Sequence, residues 1–209
     1  MSFGAVILAG GQSRRMGKNK AALEIGGQTL LDRQVELVRA AGAAEIWISA
    51  SRGTDLGAPG VPVLLDSVEG HGPLAGVVTA LRCATVFPLL VLAVDVPFVT
   101  ESFLEKLRKL CTPDRGVVPA YSWYLEPLVA FYPRAVSPLA ERRLLAGELR
   151  LQELVREALA RRLMNPYPLQ HDERRMMENW NTPMDANLPG RPWRVRLPCH
   201  DLERRPSIW

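Results

Sequence analysis

The chain is poor in the residues that metals and oxidation exploit. It has three cysteines, Cys83, Cys111 and Cys199, an odd number, widely spaced and without a Cys-x-x-Cys pair. That pattern speaks against a disulfide framework or a zinc site and fits a reducing cytoplasm. The three histidines, His71, His171 and His200, do not cluster either. No apolar run approaches the ~20 residues that span a membrane. No basic region followed by a long apolar segment opens the chain, so a secretory leader is not expected. Aromatic residues are few, 7% of 209, and are not interleaved with the cations as a base-stacking surface would require. With 26 basic against 22 acidic side chains, the formal charge of +4 is too slight to indicate nucleic acid and suits small, highly anionic ligands. There is no internal repeat and no long linker.

What is present is concentrated near the start. Ala5-Val6-Ile7-Leu8 has the length and branching of a buried strand, and it runs into Ala9-Gly10-Gly11-Gln12-Ser13. Paired glycines let the backbone turn sharply and approach a ligand. Four cations, Arg14, Arg15, Lys18 and Lys20, follow within seven residues. A strand, a glycine turn and clustered positive charge form a cradle for a polyphosphate. It is not a Walker loop: five residues separate Gly11 from Gly17-Lys18, and Asn19 supplies no hydroxyl for magnesium. The dinucleotide fingerprint is also absent.

Further along, strand and helix signals alternate. Leu31, Val35 and Val38 line one face of a helix over residues 29–41 that Gly42 can end. Glu45 to Ala50 and Val61 to Leu65 read as short buried strands, and Pro73 suits the start of a helix running to Cys83. Pro88 to Val94 is the most apolar strand, with Thr100 placed to cap a helix from Glu101. Val117-Val118 and Leu128 to Tyr132 read as strands, and residues 134–160 as two helices broken near Gly147. Such alternation predicts an α/β fold, a parallel or mixed sheet with helices on both faces. Ligands gather at the carboxyl ends of the strands in these sheets, and Gly10 and Asp95 both follow predicted strands. Asp95, at the end of so apolar a run, can reach solvent and serve as one of the few carboxylates that magnesium takes beside phosphate oxygens. A turn or cap role before Pro97 is the plainer alternative.

The segment Leu-Ala-Gly-Gly-x-Ser-x-Arg-Met-Gly-x-x-Lys over residues 8–20 resembles the signature loop of the nucleotidyltransferases that include molybdenum cofactor guanylyltransferase. Asp66 with Gly72-Pro73-Leu74-Ala75-Gly76, Asp95 in Leu92-Ala93-Val94-Asp95-Val96-Pro97-Phe98, and Asn179-Trp180-Asn181-Thr182-Pro183 keep that family's order over residues 3 to 187. The resemblance implies a three-layer Rossmann-like domain over residues 1–187, its sheet mixed but mostly parallel. It implies transfer of GMP from GTP to molybdenum-bound molybdopterin, giving the guanine dinucleotide cofactor and pyrophosphate. It further implies dependence on magnesium, with manganese as a substitute. The partners expected are GTP, the molybdopterin substrate and the proteins that deliver or receive the cofactor. Nucleic acid and membrane are not expected, and the chain reads as a cytoplasmic monomer.

Carried over residue by residue, the resemblance assigns catalysis to Lys20, Asp95 and Arg15, with Asp95 as metal ligand. Nucleotide contacts fall to Leu8, Ala9, Gly10, Gly11, Ser13, Lys20, Ser49, Asp66, Gly72 and Asp95, and molybdopterin contacts to Asn179 and Asn181. Which of Arg14, Arg15 and Lys18 meets phosphate stays open, as does whether Asp66 reads a guanine edge or a ribose. Gly72 to Gly76 either admits the base or simply starts a helix. Ser49 departs from the asparagine that the family favours. By composition alone Asn179 and Asn181 are turn residues before a proline. Residues 188–209 hold five arginines and two tryptophans without periodicity and have no assigned role. The rival activities are a cytidylyltransferase on the same cofactor, transfer to a sugar phosphate or other small phosphate, and a nucleotide-binding regulator without turnover.

Overall fold

Strand β1 (Phe3–Leu8) is buried at every position, as a strand covered on both faces must be. The computed structural model describes residues 2–10, 20–54, 56–57, 60–65 and 71–180. After β1 come a 3-10 turn at Lys20–Ala22, a short hairpin of β2 (Glu24–Ile25) and β3 (Gln28–Thr29), α1 (Leu30–Ala40) and β4 (Ala43–Ala50). The chain continues through β5 (Val63–Leu65), α2 (Gly72–Cys83), β6 (Leu89–Ala93), α3 (Glu101–Lys109), β7 (Gly116–Tyr121), β8 (Tyr124–Leu125) and β9 (Val129–Tyr132). It then forms α4 (Ser137–Leu145), α5 (Leu151–Ala160), β10 (Met164–Pro168) and a 3-10 turn at Glu173–Met177.

The main sheet has the order β10-β7-β9-β6-β1-β4-β5, with β8 paired to β7. Pairing is parallel for β6-β1, β1-β4, β4-β5 and β10-β7, whereas β9 runs antiparallel between β6 and β7. Side chains divide by strand parity. Phe3, Ala5 and Ile7 of β1, with Leu90 and Leu92 of β6, pack into one core with α1 and α3. Val6, Leu8, Leu89 and Val91 face the other core with α2, α4 and α5. The expected three layers are therefore present.

Local chemistry sets the helix boundaries. The Thr29 hydroxyl accepts from the Asp32 N–H at 3.0 Å, and that of Thr100 accepts from the Phe103 N–H at 3.3 Å. Gly42 takes a φ of +82° just past α1, a conformation that costs glycine little. One expectation needs correcting. β5 begins at Val63 and is not buried: Val63 and Leu65 are 40% and 50% exposed, because β5 is an edge strand paired only with β4. β10 was not expected at all. Its Pro166 and Pro168 conceal a strand that lies on the opposite edge, where a missing N–H costs no ladder bond. Among the described residues no helix is long and apolar enough to cross a membrane.

Gly116 opens β7 against Phe131, and a Cβ there would overlap the Phe131 carbonyl oxygen and crowd Pro133. Gly116→Ala is expected to destabilise the fold by about 1–3 kcal/mol, the usual cost of overpacking. Urea unfolding with an unchanged slope and a lowered midpoint would show it.

Candidate active site

Gly10, Lys20 and Asp95 meet at the carboxyl edge of the sheet. The N–H groups of Ala9 and Gly10 both donate to the Ser49 carbonyl, at 2.9 and 3.2 Å, so β1 stays bound to β4 until it leaves the sheet. Register pairs Leu8 with Ser49, which is 2% exposed. After residues 11–19, the chain resumes at the 3-10 turn whose Ala21 is buried in the α1 core. Lys20 Nζ lies 2.7 Å from Asp95 Oδ2, joining residues 75 apart in sequence. The two side chains are 25% and 15% exposed, so the pair is reachable from solvent without being surrounded by it.

The turn that carries Asp95 is held by its backbone. Val94 N–H donates to the Leu8 carbonyl at 3.2 Å, tying the turn to β1. Three consecutive carbonyls then accept from three distant residues. Asp95 O takes the Trp180 N–H at 2.8 Å, Val96 O takes Gln34 Nε2 at 2.8 Å, and Pro97 O takes Arg33 Nε at 3.0 Å. Gln34 is 1% exposed, and its Oε1 has no hydrogen-bond partner among the described residues. A buried glutamine used on one side only costs free energy, so its place in the core is explained by the turn it holds.

A second carboxyl group lies beside Asp95. The β6-β9 ladder pairs Leu92 with Val129, and Ala93 N–H extends it by donating to the Leu128 carbonyl at 2.8 Å. Glu126 opens the turn that leads into β9, with the Val129 N–H donating to its carbonyl at 3.3 Å, and it lies near enough to Asp95 to feel its charge. Desolvation pushes the Glu126 carboxyl up to about 8, opposed by the Leu128 N–H and reinforced by the Asp95 charge.

The other expected residues are distributed as follows. Gly72 starts α2 with φ +63°, is exposed and has open space where a side chain would go, whereas Gly76 is buried within α2 and serves packing. Asn179 is exposed and adjoins Trp180, which is 6% exposed and packs edge-on against Phe98 at 6.2 Å. Thus Leu8, Ala9, Gly10, Lys20, Ser49, Asp95 and Asn179 gather along one edge, and Gly72 begins the helix after β5. Gly11, Ser13, Arg14, Arg15, Lys18, Asp66, Asn181 and the 188–209 tail lie outside the described residues.

Gln34, Glu126 and Trp180 were not anticipated. Gln34 had a signal, a polar residue within the apolar stripe Leu30, Leu31, Val35 and Val38. Glu126 had a weaker one, a lone carboxylate two residues before the apolar run from Leu128.

Among the described residues no group of three or more histidine, cysteine, aspartate or glutamate side chains could cage a metal. Asp95, partly exposed beyond the end of β6, still fits magnesium, which takes as few as one carboxylate and fills its remaining positions with water and phosphate oxygens.

Two measurements probe this arrangement. Gln34→Leu keeps the volume but leaves the Val96 carbonyl buried without its donor; stability should fall by roughly 1–3 kcal/mol in urea unfolding. Glu126 keeps its proton in the folded protein to pH about 8, but loses it near 4.5 when unfolded. The folded state binds more protons across that window, so this group's contribution to stability declines as pH rises from 4.5 to 8. Glu126→Gln should therefore gain melting temperature relative to the parent as pH rises from 5 to 8, and a constant difference would refute the assignment.

The family model of the MobA-like NTP transferase domain matches residues 5–163. A protein of Opitutus terrae named "Probable molybdenum cofactor guanylyltransferase" is 38% identical over 189 residues, 89% of this chain and 94% of that protein. One of the same name from Carboxydothermus hydrogenoformans is 31% identical, over 86% of this chain and 90% of that protein. Among solved structures, the molybdopterin-guanine dinucleotide biosynthesis protein A of Archaeoglobus fulgidus superposes with a TM-score of 0.66 at 25% identity, covering 88% and 95% of the two chains.

Proposed function

The chain belongs to the MobA-like NTP transferase family, and from that premise we propose that it transfers GMP from GTP to molybdenum-bound molybdopterin, releasing pyrophosphate. The observation that carries the site assignment is the Lys20–Asp95 pair at 2.7 Å, on the edge where β1 and β6 end side by side. The choice of guanine rests on the names of the relatives.

Asp95 would be the metal-holding group. Magnesium bound there supplies positive charge beside the triphosphate. Lys20 neutralises Asp95 in the ligand-free protein; with nucleotide bound, its ammonium is positioned to hold charge against the phosphates. Gly10 leads the backbone out beneath them. Ser49 fixes that exit through its carbonyl, whatever its hydroxyl adds. Gln34, Arg33 and Trp180 keep the Asp95 turn from moving when charge arrives. Asn179 faces the acceptor, with Asn181 as its companion, and Gly11, Ser13, Arg15, Asp66 and Gly72 complete the nucleotide contacts. Little covalent work is asked of these groups; alignment and neutralisation carry the rate. The reading includes a cytoplasmic monomer that receives molybdopterin from one protein and passes the product to another.

The test is pyrophosphate release with magnesium and molybdenum-loaded molybdopterin, offering GTP, CTP, ATP and UTP separately. GTP is expected to be preferred, and Asp95→Asn or Lys20→Ala to lower kcat about 100-fold or more, the scale of a lost electrostatic contact in a catalytic site. A preference for CTP would transfer the assignment to cytidylyl transfer. Tight nucleotide binding without release would exclude this acceptor.

A further inference from the structure

The segment after β10 crosses the carboxyl edge from one side of the sheet to Asp95. Leu169 N–H donates to the Ala120 carbonyl at the end of β7, and Trp180 N–H donates to the Asp95 carbonyl at the end of β6. Between them, the 3-10 turn at Glu173–Met177 is pinned by Glu173, 3% exposed. Its carboxylate accepts from Lys106 Nζ at 2.6 Å, from the Tyr167 hydroxyl at 2.9 Å and from Gln170 N–H at 2.9 Å. The next two residues are arginines, each laid over an aromatic ring. The Arg174 guanidinium sits 3.8 Å from the ring centre of Tyr121, the last residue of β7. That of Arg175 sits 4.8 Å from the ring centre of Phe98, three residues beyond Asp95. Phe98 in turn packs on Trp180.

Among the described residues neither arginine makes an ion pair, although Asp172 and Glu178 lie in the same segment. Arg174 Nε is buried and has no hydrogen-bond partner among the described residues. A guanidinium held by its face leaves its N–H donors in the plane of the group for an anion, and its fork matches phosphate. Lysine could not be held in this way while presenting two parallel donors.

Sheet order gives these cations a side. Gly10 follows β1, whose neighbours are β4 and β6. Beyond β6 lie β9, β7 and β10, so Arg174, over Tyr121 of β7, comes from the flank of Asp95 away from Gly10, while Arg175, over Phe98, borders the turn that carries Asp95. In an in-line displacement at phosphorus, the attacking oxygen and the departing pyrophosphate occupy opposite sides. An acceptor phosphate arriving beside a triphosphate must also be screened from it. We propose that Arg174 and Arg175 form the landing site for the phosphate monoester of the acceptor, orienting it for attack. This assignment rests on the nucleotidyl-transfer reading above and adds two residues to its acceptor side.

The test compares molybdopterin with its dephosphorylated pterin on the full-length chain. Binding is measured by calorimetry without nucleotide, and KM values for both substrates by pyrophosphate release. Arg174→Ala with Arg175→Ala should weaken molybdopterin binding and raise its KM by about ten- to a hundredfold, the range for charge-assisted bonds to phosphate. The KM for GTP should stay within about twofold, and the dephosphorylated pterin should bind parent and variant alike. Arg174→Lys with Arg175→Lys should fall between parent and alanine variant for the phosphorylated ligand only; this pair decides the matter if the alanine variant melts early. Equal losses for both pterins, or unchanged affinity for molybdopterin in a folded variant, would overturn the proposal. Failure of the parent to release pyrophosphate would defeat the proposed reaction, and the difference between the two pterins would still decide the arginine site.

Discussion

Everything at the carboxyl edge depends on one turn being immovable. Asp95 follows a strand buried at every position, and the carbonyls of residues 95, 96 and 97 are bonded to Trp180, Gln34 and Arg33. These partners come from the end of the described chain and from α1. A side chain expected to hold a divalent cation needs such support, because small displacements cost rate when alignment is the main contribution to catalysis. Gln34 shows the priority: one of its amide atoms is used and the other is left buried without a partner among the described residues.

The Lys20–Asp95 pair adds little to stability. Partly exposed ion pairs are worth about 0–1 kcal/mol, which is little for a fold with two extensive apolar cores. The pair prepares the edge electrically. An ammonium beside a carboxylate keeps this part of the edge near neutrality, and both side chains are partly exposed. Burial pushes the nearby Glu126 carboxyl up to about 8, and the Asp95 charge adds to that rise.

Strand β6 divides the sheet into two flanks. Strands β1, β4 and β5 lie on one side of β6, and the antiparallel β9 with β7 and β10 on the other. The reversal of β9 brings its start, just after Glu126, to the edge where β1, β4, β6 and β7 end. The final segment then returns over β7 and closes on Asp95 through Trp180.

Much of this could be read from local pattern. The apolar runs of β1 and β6, the caps Thr29 and Thr100, and the αL glycine Gly42 are properties of residues within a turn or two of each other, so sequence determined them. The same holds for Asp95 and Gly10 as edge residues, since each follows an unbroken buried strand. Tertiary structure alone decided the rest. Proline hid β10 because local propensity cannot know that a strand lies on an edge. The exposure of β5 depended on its having one neighbour. Glu126 and Gln34 acquired their roles from residues 31 and 62 positions away in sequence, Asp95 and Val96, and Trp180 from one 85 positions away, Asp95. Residue type and spacing announce where the chain can turn and what it can bind. Only the packed sheet determines which groups share a site, because that is set by strand order and register.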